Sequence, residues 1–186
     1  MASSRIGLAL VALAALAAPV SAQEIKQLGT FKAWTAWTGS DASGPMCYIS
    51  AAPESWTPQA VKGAPVKRSP IHFLIINRKG LGTKNEVQTL VGYPMRATTD
   101  SFFHAAVIDG KSYPMKSIPD DPATSITDSE AAWLASMDDE SGFVTALKGG
   151  TKLAVKGTSG RGTETTDTYS LAGVTAAMAA IDKACP

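Results

Sequence analysis

Between Phe31 and Leu171 the chain returns again and again to short runs in which apolar and polar side chains alternate, each closed by turn-forming residues. A period of two sends successive side chains to opposite faces of an extended strand, so such runs are satisfied by sheets with one buried face. Met46 to Ser50 puts Cys47 and Ile49 on one face, and Glu86 to Val91 puts Val87, Thr89 and Val91 on one side. Ile71 to Ile76 is apolar on both faces, as a central strand requires. Phe31 to Trp37, Phe102 to Ile108, Ser112 to Ile118, Leu153 to Lys156 and Thr165 to Leu171 complete the strands. Asp109-Gly110 suits a type I′ turn, whose two central positions both need positive φ.

Two segments have helical spacing instead. Asp138-Asp139-Glu140 sets carboxylates at the positive end of one helix, Phe143, Val144 and Leu147 form its apolar face, and Gly149-Gly150 ends it. Val174, Met178, Ile181 and Cys185 fall on one stripe of a second helix, Val174 to Ala184. The pattern predicts an all-β fold: an antiparallel β-sandwich with one short internal helix and a C-terminal helix. The stretch from Pro53 to Pro70 holds four prolines with Trp56, Lys62, Lys67 and Arg68, and reads as a mobile surface excursion.

The first residues read as a signal peptide. Arg5 supplies the charge, Ile6 to Ala18 an apolar run too short to span a bilayer, and Val20-Ser21-Ala22 a cleavage site. Residues 1–22 are thus expected to be removed and 23–186 to form a single β-sandwich domain in the periplasm, associated with the outer membrane or secreted. No cysteine precedes Cys47, which argues against a lipid anchor at the cleavage point. Arg5 is the leader's one charged side chain; without it the 17 basic residues become 16 and match the 16 acidic ones. That balance speaks against a nucleic-acid partner, and no later apolar run reaches spanning length. Cys47 and Cys185 are the two cysteines of an exported chain and allow one intramolecular disulfide.

The sequence carries no recognisable catalytic motif. His72 and His104 lie on different strands, without the spacing of a zinc site, so no metal and no cofactor are expected. The apolar surroundings of His72 predict a hydrogen-bonded core histidine. Gly157 to Thr163 has the glycines of a phosphate loop, but Thr163 stands where lysine is needed and a strand follows, so it reads as a β connection. Asp120-Asp121 and Asp138 to Glu140 lack the alternating oxygen ligands of a calcium loop. Asp167 shares a strand face with Thr165, Tyr169 and Leu171; if that face is buried, its carboxylate needs a partner, for which Arg161 and Lys84 are candidates.

Four stretches in this order, Lys84-Asn85-Glu86-Val87, Val91-Gly92-Tyr93-Pro94, Asp109-Gly110-Lys111-Ser112 and the long run from Val155 to Leu171, resemble the invasion-associated locus B family. These are exported proteins of alphaproteobacteria, associated with virulence. The similarity spans Leu28 to Cys185 and includes Cys47-Tyr48 and the late cysteine. The resemblance implies an immunoglobulin-like β-sandwich in the envelope and a non-enzymatic role, with no catalytic residues to transfer. The expected function is a binding or envelope-support module with a role in host-cell interaction, its partner another envelope protein or a host-surface component. Its expected surface combines Lys84, Asn85 and Glu86 with Arg161, Thr163 and Asp167, polar residues at loop and strand-end positions. The alternative is an envelope hydrolase using Asp167 or Glu86 as base.

Overall fold

A computed structural model describes residues 24–97, 103–118 and 128–186. The leader, the Phe102 start of one expected strand and Asp120-Asp121 lie outside the described residues. The strands are β1 (Lys26–Phe31), β2 (Trp34–Asp41), β3 (Gly44–Ala51), β4 (Ser55–Thr57), β5 (Ala60–Val61), β6 (Ala64–Pro65), β7 (His72–Arg78), β8 (Thr83–Leu90), β9 (His104–Ile108), β10 (Lys111–Ser117), β11 (Ala131–Leu134), β12 (Lys152–Thr158) and β13 (Glu164–Ser170). Helix α1 runs Glu140–Gly149 and α2 runs Val174–Ala184.

The all-β architecture with two short helices is met. Among the described residues eleven strands form one antiparallel sheet in the order β1-β2-β3-β7-β8-β11-β10-β9-β12-β13-β4, so both layers of the sandwich belong to one hydrogen-bonded sheet. The halves meet through their inward side chains. Phe73 of β7 packs edge-on to Trp34 of β2 and to Tyr169 of β13, and stacks on Phe143 of α1. The Trp34 indole donates to the Ser170 carbonyl at 2.9 Å, which ties β2 to the end of β13. On the inward face the alternation is regular: Cys47, Ile49 and Ala51 in β3, His104, Ala106 and Ile108 in β9, Thr165, Asp167 and Tyr169 in β13 are all buried.

The Asp109-Gly110 turn joins β9 to β10 with φ of 45° and 92°. Asp109 also accepts from the Thr151 and Lys152 amides and the Thr151 hydroxyl, which binds the hairpin tip to the start of β12. Helix α2 buries Val174, Ala177, Met178 and Ile181. Its stripe delivers Cys185 to Cys47, and the disulfide joins positions 138 residues apart with Cα atoms 5.9 Å apart. That separation falls within the reach of an ordinary bridge.

Three expectations are corrected. The run from Phe31 to Trp37 is not one strand: Lys32, at φ 55°, reverses the chain, and Phe31 pairs with Trp34 across a hairpin. A lysine is an uncommon residue at positive φ, which hides this turn in the sequence. His72 is only half-buried; the buried, hydrogen-bonded histidine is His104, because the inward register of β7 belongs to Phe73, Ile75 and Asn77. The stretch from Pro53 to Pro70 is not a loose excursion. It forms β4, which pairs with β13, and the β5–β6 hairpin, and its last residues are tied down by Arg68 and Ser69.

Candidate binding groove

The period of β13 turns Asp167 inward, and the residue is 0% exposed. A carboxylate in that position must be paired and hydrogen-bonded, or its desolvation is uncompensated. Its partner is Arg68, and neither Arg161 nor Lys84 fills that role. Two guanidinium nitrogens, Nη1 and Nη2, donate to Oδ1 and Oδ2, each at 2.6 Å, while Nε donates to the Val91 carbonyl at 2.8 Å. The side chains of the pair are 3% and 1% exposed. The guanidinium also lies over two rings, 5.3 Å from the centroid of Trp56 and 4.9 Å from that of Tyr93. A planar, weakly hydrated cation suits this setting, with two aromatic faces against it and a carboxylate fork at its edge. Burial pushes the Asp167 carboxyl up, and the bonds from Arg68 oppose that shift.

Each residue of Val91-Gly92-Tyr93-Pro94 has a task at this point. The Val91 carbonyl holds Arg68 Nε. Gly92 has φ 69° and accepts from the Ser69 amide at 3.0 Å; a Cβ there would stand 2.2 Å from the Ser69 carbonyl oxygen. Tyr93 covers Arg68 and shares a 2.5 Å hydrogen bond with the Thr165 hydroxyl. Burial raises the Tyr93 phenol above its ordinary range, and the Thr165 bond opposes that. The Pro94 carbonyl accepts from the Gly160 amide at 2.9 Å. Gly157 leaves room for the phenol, since a Cβ on it would lie 2.7 Å from the Tyr93 hydroxyl oxygen. The motif thus joins the 53–70 strap to the β12–β13 turn.

Between these two pieces lies a groove of about 610 Å³. One wall is the strap, with Pro58, Val61, Ala64 and Lys67; the other is the turn, with Ser159, Gly160, Arg161 and Thr163. Arg68, Tyr93 and Thr165 also line it. Its volume is that of a small-ligand or peptide side-chain site. The turn holds its shape through paired bonds: the Ser159 amide donates to the Thr163 carbonyl, and the Thr163 amide to the Ser159 hydroxyl.

The expected surface patch is split. Arg161 and Thr163 line the groove, and Asp167 lies beneath it, committed to Arg68. Lys84, Asn85 and Glu86 sit at the opposite end of β8. Asn85 and Val91 are about 20 Å apart at ~3.3 Å per strand residue. Lys84 pairs with Asp182 at 3.4 Å, and the Asn85 amide donates to the Asn77 side chain at 2.9 Å. Glu86 receives Arg78 at 2.8 Å and the Trp133 indole at 3.3 Å. Arg78 also pairs with Asp41. A second, smaller hollow of about 270 Å³ includes Glu86, Trp133 and Glu140. Burial, then the Glu86 charge, raises the Glu140 carboxyl.

His104 belongs to neither hollow. One ring nitrogen, Nε2, contacts the Arg96 carbonyl at 2.8 Å, and Nδ1 accepts from the Thr158 amide at 3.3 Å, an arrangement that suits the neutral ring with Nε2 protonated. Burial lowers its pKa, against the main-chain bonds it makes. Among the described residues no group of three or more His, Cys, Asp or Glu side chains could hold a metal ion. No helix among them is long and apolar enough to cross a membrane.

The sequence reading missed Arg68, Trp56 and Tyr93. Asp167 on an inward strand face demanded a buried cation, and an arginine within a proline-rich stretch was the available signal. Neither the curated proteins nor the solved structures contain a match to the chain. The segment holding β11, α1, β12, β13 and most of α2, residues 122–182, matches the family described as Invasion associated locus B (IalB) protein, the same family that the four motifs resemble.

Proposed function

We propose that the protein is an exported envelope component that acts as a non-enzymatic binding or support module, with the groove between strap and turn as its binding face. The observation that carries this reading is the latch beneath the groove. A buried bidentate ion pair, two aromatic rings and a glycine without room for a Cβ hold the two walls in a fixed relation. Preformed concave surfaces of this kind lower the ordering cost of binding. The hydrolase reading has less support, because Asp167 is bound at both oxygens by Arg68 and Glu86 is held by Arg78 and Trp133. The leader supports an envelope location, and the family resemblance supports a role at the host-cell surface.

The test is affinity capture from envelope extract of the producing cell, with the mature chain and an Ala64→Trp variant whose indole fills the groove from an exposed position. Wild type should enrich a component that the variant loses while its melting temperature stays unchanged. Identical captures would remove the groove from the function. Amino-terminal sequencing of the exported chain should begin at Gln23.

A further inference from the structure

We infer that the groove takes an extended acidic peptide; this rests on the binding role proposed above and specifies the ligand. Charge is the first observation. Asp167 neutralises Arg68, which leaves the groove with Lys67 on one wall and Arg161 on the other, both exposed, against the single carboxylate of Glu130. Neither Lys67 nor Arg161 has an ion pair among the described residues. Just outside the lining, the charge of Arg96, which lies beside Gly162, is matched by that of the exposed Glu164 at the start of β13. The whole chain carries a formal charge of only +1, so Lys67 and Arg161 form a local excess that favours a negatively charged partner.

An open strand edge is the second observation. Among the described residues β5 and β6 are paired with each other and with no further strand, and β4 ends the large sheet; Pro65 gives β6 no N–H and the Gln59 side chain already donates to the Trp56 carbonyl, so the edge offered to the groove is that of β5. An extended peptide can satisfy the N–H and C=O groups of such an edge, whereas an acyl chain cannot. The period of two of a bound strand would direct its acidic side chains toward Lys67 and Arg161. Its apolar side chains would rest on Val61, Ala64 and Pro65.

The experiment titrates the mature chain, disulfide intact, with a synthetic peptide of alternating glutamate and valine at low salt. Backbone amide shifts are recorded for wild type, for the exposed double variant Lys67→Glu/Arg161→Glu, and for Ala64→Trp. The acidic peptide should shift Val61, Ala64 and Gly160, bind the double variant about tenfold more weakly, and fail to bind Ala64→Trp. A lysine–valine peptide and phosphatidylglycerol vesicles should leave these amides in place. The inference is overturned if the acidic peptide gives no shifts, if it binds the double variant equally well, or if vesicles alone move the groove amides. An inert acidic peptide, with capture still lost in Ala64→Trp, would overturn the peptide chemistry and leave the groove standing. Capture unchanged in Ala64→Trp would overturn both.

Discussion

Replacing Asp167 by asparagine keeps the shape of the side chain and removes its charge. Arg68 is then left as a cation whose side chain is 3% exposed, against two rings and facing a neutral amide. Removing one member of a buried pair typically costs about 3–5 kcal/mol, because the remaining charge has lost its compensation. The same operation on the exposed pair, Asp182→Asn beside Lys84, should cost about 0–1 kcal/mol, since those side chains are 36% and 56% exposed and water already screens them. The assay is urea unfolding followed by tryptophan fluorescence, with the disulfide intact. At an m-value of about 2 kcal/mol/M the Asp167→Asn midpoint should fall by about 2 M. The double replacement Arg68→Met with Asp167→Leu should recover much of that loss, because it removes both desolvation costs together. An Asp167→Asn midpoint within about 0.5 M of wild type, or a double variant no more stable than the single, would refute the account of the latch.

Gly92→Ala should free the strap, because its Cβ would lie 2.2 Å from the Ser69 carbonyl oxygen at a backbone angle unfavourable to alanine. Trypsin should then cut after the exposed Lys62 about tenfold faster, as a strain of ~1–2 kcal/mol implies. Removing the disulfide in Cys47→Ala/Cys185→Ala should destabilise the domain by up to about 5 kcal/mol by chain entropy for a bridge spanning 138 residues, read as a lower unfolding midpoint with unchanged far-ultraviolet circular dichroism at low urea. His104 supplies a pH signature. Its pKa is lowered in the folded state, so the unfolded chain binds the proton first as pH falls below about 6.5. Stability should therefore be full above that value and decline toward pH 5. A His104→Gln variant, measured by thermal unfolding across that range, should show a flatter decline.

Local chemistry made much of the frame legible. The inward and outward faces of β3, β8 and β13 follow from a period of two, and α2 from a stripe that includes Cys185, because these patterns lie within a few residues of each other. The Asp109-Gly110 turn was readable for the same reason: the conformational demand is met by the two residues that make it. Where the local signal was weak, elements were missed. Strand β11 is four residues long, Ala131–Leu134, and is held in place by β8 on one side and β10 on the other. Lys32 turns the chain without the glycine or asparagine that would announce it.

The sequence by itself therefore determined the strand faces, the C-terminal helix, the available cysteine pair and the requirement that Asp167 have a partner. Only the tertiary structure decided which partner. Arg68 and Asp167 are 99 residues apart, and nothing in their neighbourhoods distinguishes Arg68 from Arg161 as a counter-ion. The choice falls out of sheet topology: β4 pairs along the outer side of β13, the strap returns toward Val91, and Arg68 arrives at the buried carboxylate with Trp56 and Tyr93 against it. The groove arises in the same way, since its walls come from segments far apart in the chain that adjoin only once the sheet has folded over on itself.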